Sequence, residues 1–281
     1  MIQALNEKVA LTIGKYRTLD LFNMIYPDAH VRGVDGFTNS NLLLPLTLFR
    51  TTDLSINAAG ILGMKGKQVQ SGLLVYDPKN VSTTVAPDLF GEGAVILGYH
   101  RFFTEIAGLP GNHGFLGNYS GRTYTSTDPL SWSIIPGEGL AAGQTTGSWS
   151  LAYFGDQVVW QDCCDENRNI RLFSVWGLAD RDANPYHWTC NASLQGNGLV
   201  RGREADTMGV GAFYVELNSD FKWLVSAGPL PDIQNVTGVE LYYNAAVTPW
   251  FHLTADLQVV DNQNVGDDTA FILGLRGKID L

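Results

Sequence analysis

Between positions 238 and 260 the chain alternates apolar and polar residues in two long runs, interrupted once at Pro249 and Trp250. In the first run Val239, Leu241, Tyr243, Ala245 and Val247 share one parity, against Gly238, Glu240, Tyr242, Asn244 and Ala246. In the second, Phe251, Leu253, Ala255, Leu257 and Val259 oppose His252, Thr254, Asp256 and Gln258. A period of two is that of a β-strand with unlike faces. Half-buried strands of soluble proteins alternate as well, so one such run decides little. The pattern recurs, however. Phe271, Leu273, Leu275, Gly277, Ile279 and Leu281 oppose Arg276, Lys278 and Asp280, while Tyr186, Trp188, Cys190, Ala192 and Leu194 oppose His187, Thr189, Asn191, Ser193 and Gln195. In all four runs the charges keep to one parity. A charge facing lipid at the bilayer midplane costs about 2–4 kcal/mol, whereas one facing a watery lumen keeps its hydration, so a transmembrane barrel selects this confinement along the whole strand.

Helical periodicity is nearly absent elsewhere, and strand-like segments end at Gly, Asp, Asn and Pro. The pattern predicts about twelve strands: 7–16, 53–63, 67–77, 92–103, 113–124 and 147–160, then 169–179, 187–197, 207–218, 238–247, 251–260 and 269–281. Many run to about ten residues, above the mode of about 5–6 for globular strands and within the roughly 9–11 that a tilted strand needs to cross a bilayer. The facing of 67–77, 92–103 and 169–179 is left open, because their residues do not sort by parity. Short and long connections tend to alternate, as they do between the two rims of an outer-membrane barrel. Residues 17–52 form a connection too long for an idle surface loop. Pro249 suits a tight turn. Trp250 at a strand end fits either a membrane interface or a buried hairpin.

Composition sharpens the choice. Of 281 residues, 45% are hydrophobic and only 16% charged, below the roughly 25% of soluble domains. The net charge of −10, with no Lys/Arg run, argues against nucleic acid as a partner. No stretch reaches the length of a transmembrane helix. The first residues lack the build of a signal peptide. Cys163, Cys164 and Cys190 make no metal-binding spacing and no disulfide framework, so no metal or other cofactor is expected. Catalysis has little support either. The five histidines are scattered, and the acidic pair Glu204 and Asp206, which a glycosidase could use, reads better as a turn.

Several C-terminal motifs then come in order: G-V-E-L-Y-Y-N at 238–244, P-W at 249–250, L-T-A-D-L-Q-V at 253–259 and G-L-R at 274–276. Upstream stand G-R-E-A-D at 202–206 and L-T-I-G-K-Y at 11–16. Together they resemble the carbohydrate-selective porins of the OprB family, most specifically over 201–281. The resemblance implies an all-β, antiparallel transmembrane barrel of sixteen strands in the bacterial outer membrane, passing sugars by diffusion. About four strands and a signal peptide would then be missing, making 1–281 a single, N-terminally incomplete barrel domain. Leu281 stands where such proteins often end in an aromatic residue.

On this reading the chemistry lies in the lumen, where sugar hydroxyls need both donors and acceptors. The candidates are Arg276, Lys278, Asp256, Gln258, His252, Glu240, Tyr242 and Asn244 on the last three strands, and His187, Asn191 and Gln195 on the eighth. Asp28, His30, Arg32 and Asp35 in the 17–52 loop would narrow the pore if that loop folds inward. A cluster of Arg276, Lys278 and Asp256 is expected on the lumen wall. Partners would be sugars and outer-membrane lipid, and a homotrimer is the assembly that analogy alone suggests. The rival reading is a soluble secreted β-protein that binds or hydrolyses carbohydrate. The two differ in where the apolar parity goes: outward as a belt in a barrel, inward in a soluble protein.

Overall fold

The computed structural model describes residues 1–25, 33–66, 68–78, 89–137, 139–228 and 230–280. Thirteen strands form one sheet: β1 (Ile2–Ala4), β2 (Val9–Arg17), β3 (Ser55–Lys65), β4 (Gln68–Tyr76), β5 (Val95–Ile106), β6 (Leu109–Thr125), β9 (Gln144–Gln161), β10 (Asn169–Ala179), β11 (Tyr186–Asn197), β12 (Thr207–Leu217), β13 (Val236–Thr248), β14 (Phe251–Val260) and β15 (Ala270–Ile279). Each pairs antiparallel with its sequence neighbours, and the small hairpin β7 (Ser133–Ile135) and β8 (Gly139–Ala141) stands apart. All twelve predicted strands are present. Two of them, β10 and β14, have the predicted bounds. The sequence reading missed β1, whose three residues are too few to carry a period, and the β7–β8 hairpin.

The connections sort by rim. On one rim lie the two-residue links 107–108 and 249–250, with the turns 162–168 and 198–206. The other carries 18–54, 77–94, 126–143 and 218–235, with the shorter 180–185 and 261–269. Hairpins with two-residue links need backbone that follows strand twist, and positive φ at both central residues supplies it. Ala107 (φ 53) and Gly108 (φ 77) have this geometry between the paired Ile106 and Leu109.

Faces follow the predicted parity. Leu241 is 51% exposed and Leu273 82%, while Glu240 has no exposed surface and Asp256, Gln258, Asn244 and Thr254 are all buried. Leu257 and Leu275 also face outward, among Val239, Phe271 and Ile279. The apolar side is outside and the polar side is in, the reverse of a soluble β-sandwich. That disposition removes the soluble rival. Trp250 is 56% exposed at the strand end, as an interfacial ring would be, not buried in a hairpin. A helix long and apolar enough to cross a membrane is absent among the described residues, which says nothing of strands.

The three strands that did not sort by parity now have a cause. On β4, β5 and β10 the inward residues Leu74, Tyr76, Leu97, Tyr99, Phe173 and Val175 are apolar and buried. They join a core with Leu21, Phe22 and Leu44, which belong to the long connection after β2. These strands therefore carry apolar residues on both faces, with the inward-folded connection packed against one of them. That one connection also reaches β13–β15 (see below), so the sheet curves around it.

The candidate lumen site

The connection between β2 and β3 runs through α1 (Thr18–Ile25), a 3-10 turn at Gly33–Asp35, α2 (Ser40–Leu43) and a second 3-10 turn at Leu46–Leu48. Polar wall groups meet it along its length. A buried backbone carbonyl or amide needs a partner, and here the strands and the 180–185 connection provide them. Thr47 O accepts from Ser150 Oγ at 2.7 Å and from Asn184 Nδ2 at 2.8 Å. Asn41 O accepts from Asn191 Nδ2 at 2.7 Å. Farther on, Tyr76 donates to Thr51 O at 3.2 Å, and Asn118 Nδ2 donates to Thr52 Oγ1 at 3.2 Å. Arg50 closes the connection near the rim, donating from Nε to Ala183 O at 2.8 Å.

The other end is held by the last three strands. Glu240 Oε1 accepts from Thr38 N at 2.7 Å, and Oε2 from Asn39 N at 2.9 Å. Gln258 exchanges bonds with the same pair: its Oε1 accepts from Asn39 Nδ2 at 3.1 Å and its Nε2 donates to Thr38 Oγ1 at 2.9 Å. Arg276 donates to the carbonyls of Gly33 and Gly36, each at 2.9 Å. Lys278 pairs with Asp35 at 2.8 Å. Phe37 packs edge-on against Tyr242, ring centroids 4.8 Å apart.

The predicted lumen residues thus divide by what they touch. Glu240, Gln258, Arg276, Lys278, Asn191 and Tyr242 meet the inward connection. Asn244, His252 and Asp256 form wall contacts instead: Asn244 Nδ2 donates to Thr254 Oγ1 at 2.7 Å, His252 Nδ1 lies 3.1 Å from Asn244 Oδ1, and Asp256 Oδ1 accepts from Gln258 at 3.1 Å. Gln195 is buried on the inward face and donates to Asn197. His187 lies at the bulge between Tyr186 and Trp188, with Nδ1 3.0 Å from Ala179 O, so its facing is set by the bulge rather than by strand parity. The expected Arg276–Asp256 approach is present at 3.6 Å, but Lys278 turns to Asp35 and Asp280. Asp28, His30, Arg32 and the terminal Leu281 lie outside the described residues.

Sequence reasoning did not single out Ser150, Asn184, Asn118, Tyr76 or Arg50. Ser148, Ser150 and Ala152 do share the inward parity of β9, so small and polar residues there were a usable signal.

Beside the connection a cleft of about 370 Å³ opens toward the rim of long loops. Asn39, Asn41, Tyr186, Asp261, Asn262 and Gln263 form the polar half of its lining, and the other half is aliphatic. Amides and a carboxylate supply donors and acceptors, and a phenol ring offers an apolar face, which is a set suited to polyhydroxylated solutes. Away from the lumen, Asp162, Cys163 and Cys164 in the β9–β10 turn offer three ligand atoms within 4.8 Å of one another, both cysteines exposed. The other acidic turn, after β11, is structural. Glu204 Oε1 accepts from Gly202 N at 2.9 Å, and Asp206 binds Arg203 Nε at 2.7 Å, Ala246 N at 2.9 Å and the Tyr243 hydroxyl.

Known proteins resemble this architecture. The model of the carbohydrate-selective porin, OprB family, matches residues 55–281. The high-pH structure of Pseudomonas putida OprB superposes with a TM-score of 0.75 at 17% identity, covering 99% of this chain and 70% of that one. Its low-pH structure gives 0.56 at 14% identity, covering 99% and 64%. Outer-membrane expressed OmpT of Vibrio cholerae gives 0.53 at 12% identity, covering 98% and 77%. At such identities the structural likeness speaks for the fold alone. No curated protein matches the chain.

Proposed function

The chain belongs to the carbohydrate-selective porin, OprB family, and from that premise we propose that sugars are selected between the inward β2–β3 connection and the polar inner wall. As a porin the protein is a channel rather than an enzyme. Our reading adds that passage is passive, needs no cofactor and no energy input, and takes place across a bacterial outer membrane, with lipid against the outward belt. The rim of long loops would face outside and the short-turn rim the periplasm, as in barrels of this type. Assembly as a homotrimer belongs to the proposal by family resemblance alone, and mass measurement in detergent tests it.

One observation carries the reading: on β13 the buried carboxylate of Glu240 alternates with the exposed side chain of Leu241. A strand with lipid on one face and a hydrated or hydrogen-bonded interior on the other selects that arrangement, and the outward row Val239, Leu257, Leu273 and Leu275 repeats it across neighbouring strands. Selection then follows from chemistry. A sugar gives up hydrogen bonds to water on entering a narrow passage, and a wall of amides, carboxylates and guanidinium groups replaces them. An apolar solute gains nothing there, and a strongly charged one loses more hydration than the wall returns.

Liposome swelling is the direct test. Vesicles carrying the full-length protein should swell faster in a monosaccharide than in a charged solute of similar size. Equal swelling in both would remove the selectivity, and no swelling in either would remove the channel.

A further inference from the structure

Glu240 is the one inward carboxylate with both oxygens bonded to backbone amides of the connection, among the described hydrogen bonds. Three donors meet it: Thr38 N at 2.7 Å and Thr38 Oγ1 at 3.1 Å on Oε1, and Asn39 N at 2.9 Å on Oε2. Its side chain is fully buried. Asp256 on β14 lies beside it, and Tyr242, on its own strand, has Glu240, Arg276 and Asp35 for ionisable neighbours. Successive backbone amides converging on one buried carboxyl group satisfy both sides and fix the segment that carries them.

What these bonds hold is the cleft's own lining. Asn39, bound through its amide to Glu240, accepts from Asn41 N at 3.1 Å to start α2 and donates to Gln258. Asn41 is fastened from the opposite side by Asn191. Residues 38–41 are thereby fixed between β11 and β13–β14, and both asparagines border the 370 Å³ cleft. We propose that Glu240 is the positioning residue of the sugar constriction: it contacts no solute itself, but sets where the Asn39 and Asn41 groups stand and hence which sugar hydroxyls they meet. This rests on the porin reading.

Chemistry singles out the carboxylate. All three bonds that reach Glu240 from the connection are donated to it, and its two oxygens accept them, with the Asp256 carboxyl alongside. The near-isosteric amide of Glu240→Gln has a single acceptor oxygen and turns its own N–H₂ toward one of the donors. The substitution keeps shape and removes the match, while Glu240→Ala removes both.

The test uses the full-length protein with Cys163, Cys164 and Cys190 changed to Ser and a spin label at Ser40→Cys, an exposed position of α2. Heat-resistant migration on gels reports folding. In Glu240→Gln the label should become mobile, and sugar block of ion current in planar bilayers should weaken roughly 5-fold or more, with folding retained. Glu240→Ala should exceed it where it folds, and where it does not, the Gln variant decides. An immobile label with unchanged sugar affinity overturns the proposal. A mobile label with unchanged affinity also overturns it, since the tether would then have no bearing on selection. Absence of current in the unsubstituted protein instead sinks the porin reading.

Discussion

The Lys278 ammonium lies 2.8 Å from the Asp35 carboxylate, joining the last strand to a segment 243 positions earlier. Two strands away from Glu240, the same strip is thus held a second time. Arg276 adds two bonds to the carbonyls of Gly33 and Gly36. A planar guanidinium reaches two acceptors at once, which an ammonium does not do in a fixed plane.

Unequal consequences are expected from Arg276→Ala and Lys278→Ala. Arg276→Ala leaves two carbonyls short of donors and takes away the cation nearest Asp256, so the 33–36 turn should loosen. Lys278 is more open to water and already shared with Asp280, where an ion pair is worth about 0–1 kcal/mol. Open-channel current noise should therefore rise clearly in Arg276→Ala and little in Lys278→Ala. Equal noise in both would show that the guanidinium's pair of bonds does not hold the turn.

The outward belt makes a prediction about stability. Leu273 and Leu275 are among the most exposed large apolar residues, on the face opposite Arg276. Leu273→Arg should cost about 2–4 kcal/mol if the site lies near the midplane, read as a fall in the denaturant midpoint for unfolding from lipid vesicles. Leu273→Ala should cost far less. If arginine and alanine are tolerated alike, the face does not meet lipid.

Much of this fold can be read from the chain, and the exceptions share a cause. The runs at 169–179 and 251–260 predict β10 and β14, and the parity of Glu240, Asn244, Asp256 and Gln258 puts them on the inward face where they lie. Parity fails where a second element arrives inside. Leu74, Tyr76, Leu97, Tyr99, Phe173 and Val175 share one buried core with Phe22 and Leu44, so their strands do not sort by parity. It fails again at His187, because a bulge resets the alternation. The tethering role of Glu240 and Arg276 was not legible, since a period of two tells which face a residue is on and nothing of what comes to meet it. Their partners lie more than 200 positions away. The G-R-E-A-D segment is the opposite case: a turn was expected there, and its hydrogen bonds are local apart from the reach of Asp206 to β13.

Asp206 gives a pH dependence with a defined sign. Burial alone would raise its carboxyl, but the Arg203 guanidinium, the Tyr243 hydroxyl and the Ala246 amide together hold it below the usual carboxylate range. A carboxyl depressed in the folded state stabilises above its unfolded value of about 3.9 and loses that contribution as pH falls through the folded value. Asp206→Asn should lower thermal stability in detergent at neutral pH, and the gap from the unsubstituted protein should close in acid. A gap that persists below the folded value would assign the effect to lost packing rather than to charge.

The central claim, a sugar-selective passage built from the inward connection and the polar wall, meets its most direct test in single-channel recording on planar bilayers. Full-length protein should produce stepwise current increments that decrease in a saturable way as a monosaccharide is added, and deletion of residues 36–42 should enlarge the steps while removing most of the sugar effect. Steps that ignore sugar in the intact protein, or a deletion that leaves both conductance and sugar block unchanged, would contradict the account.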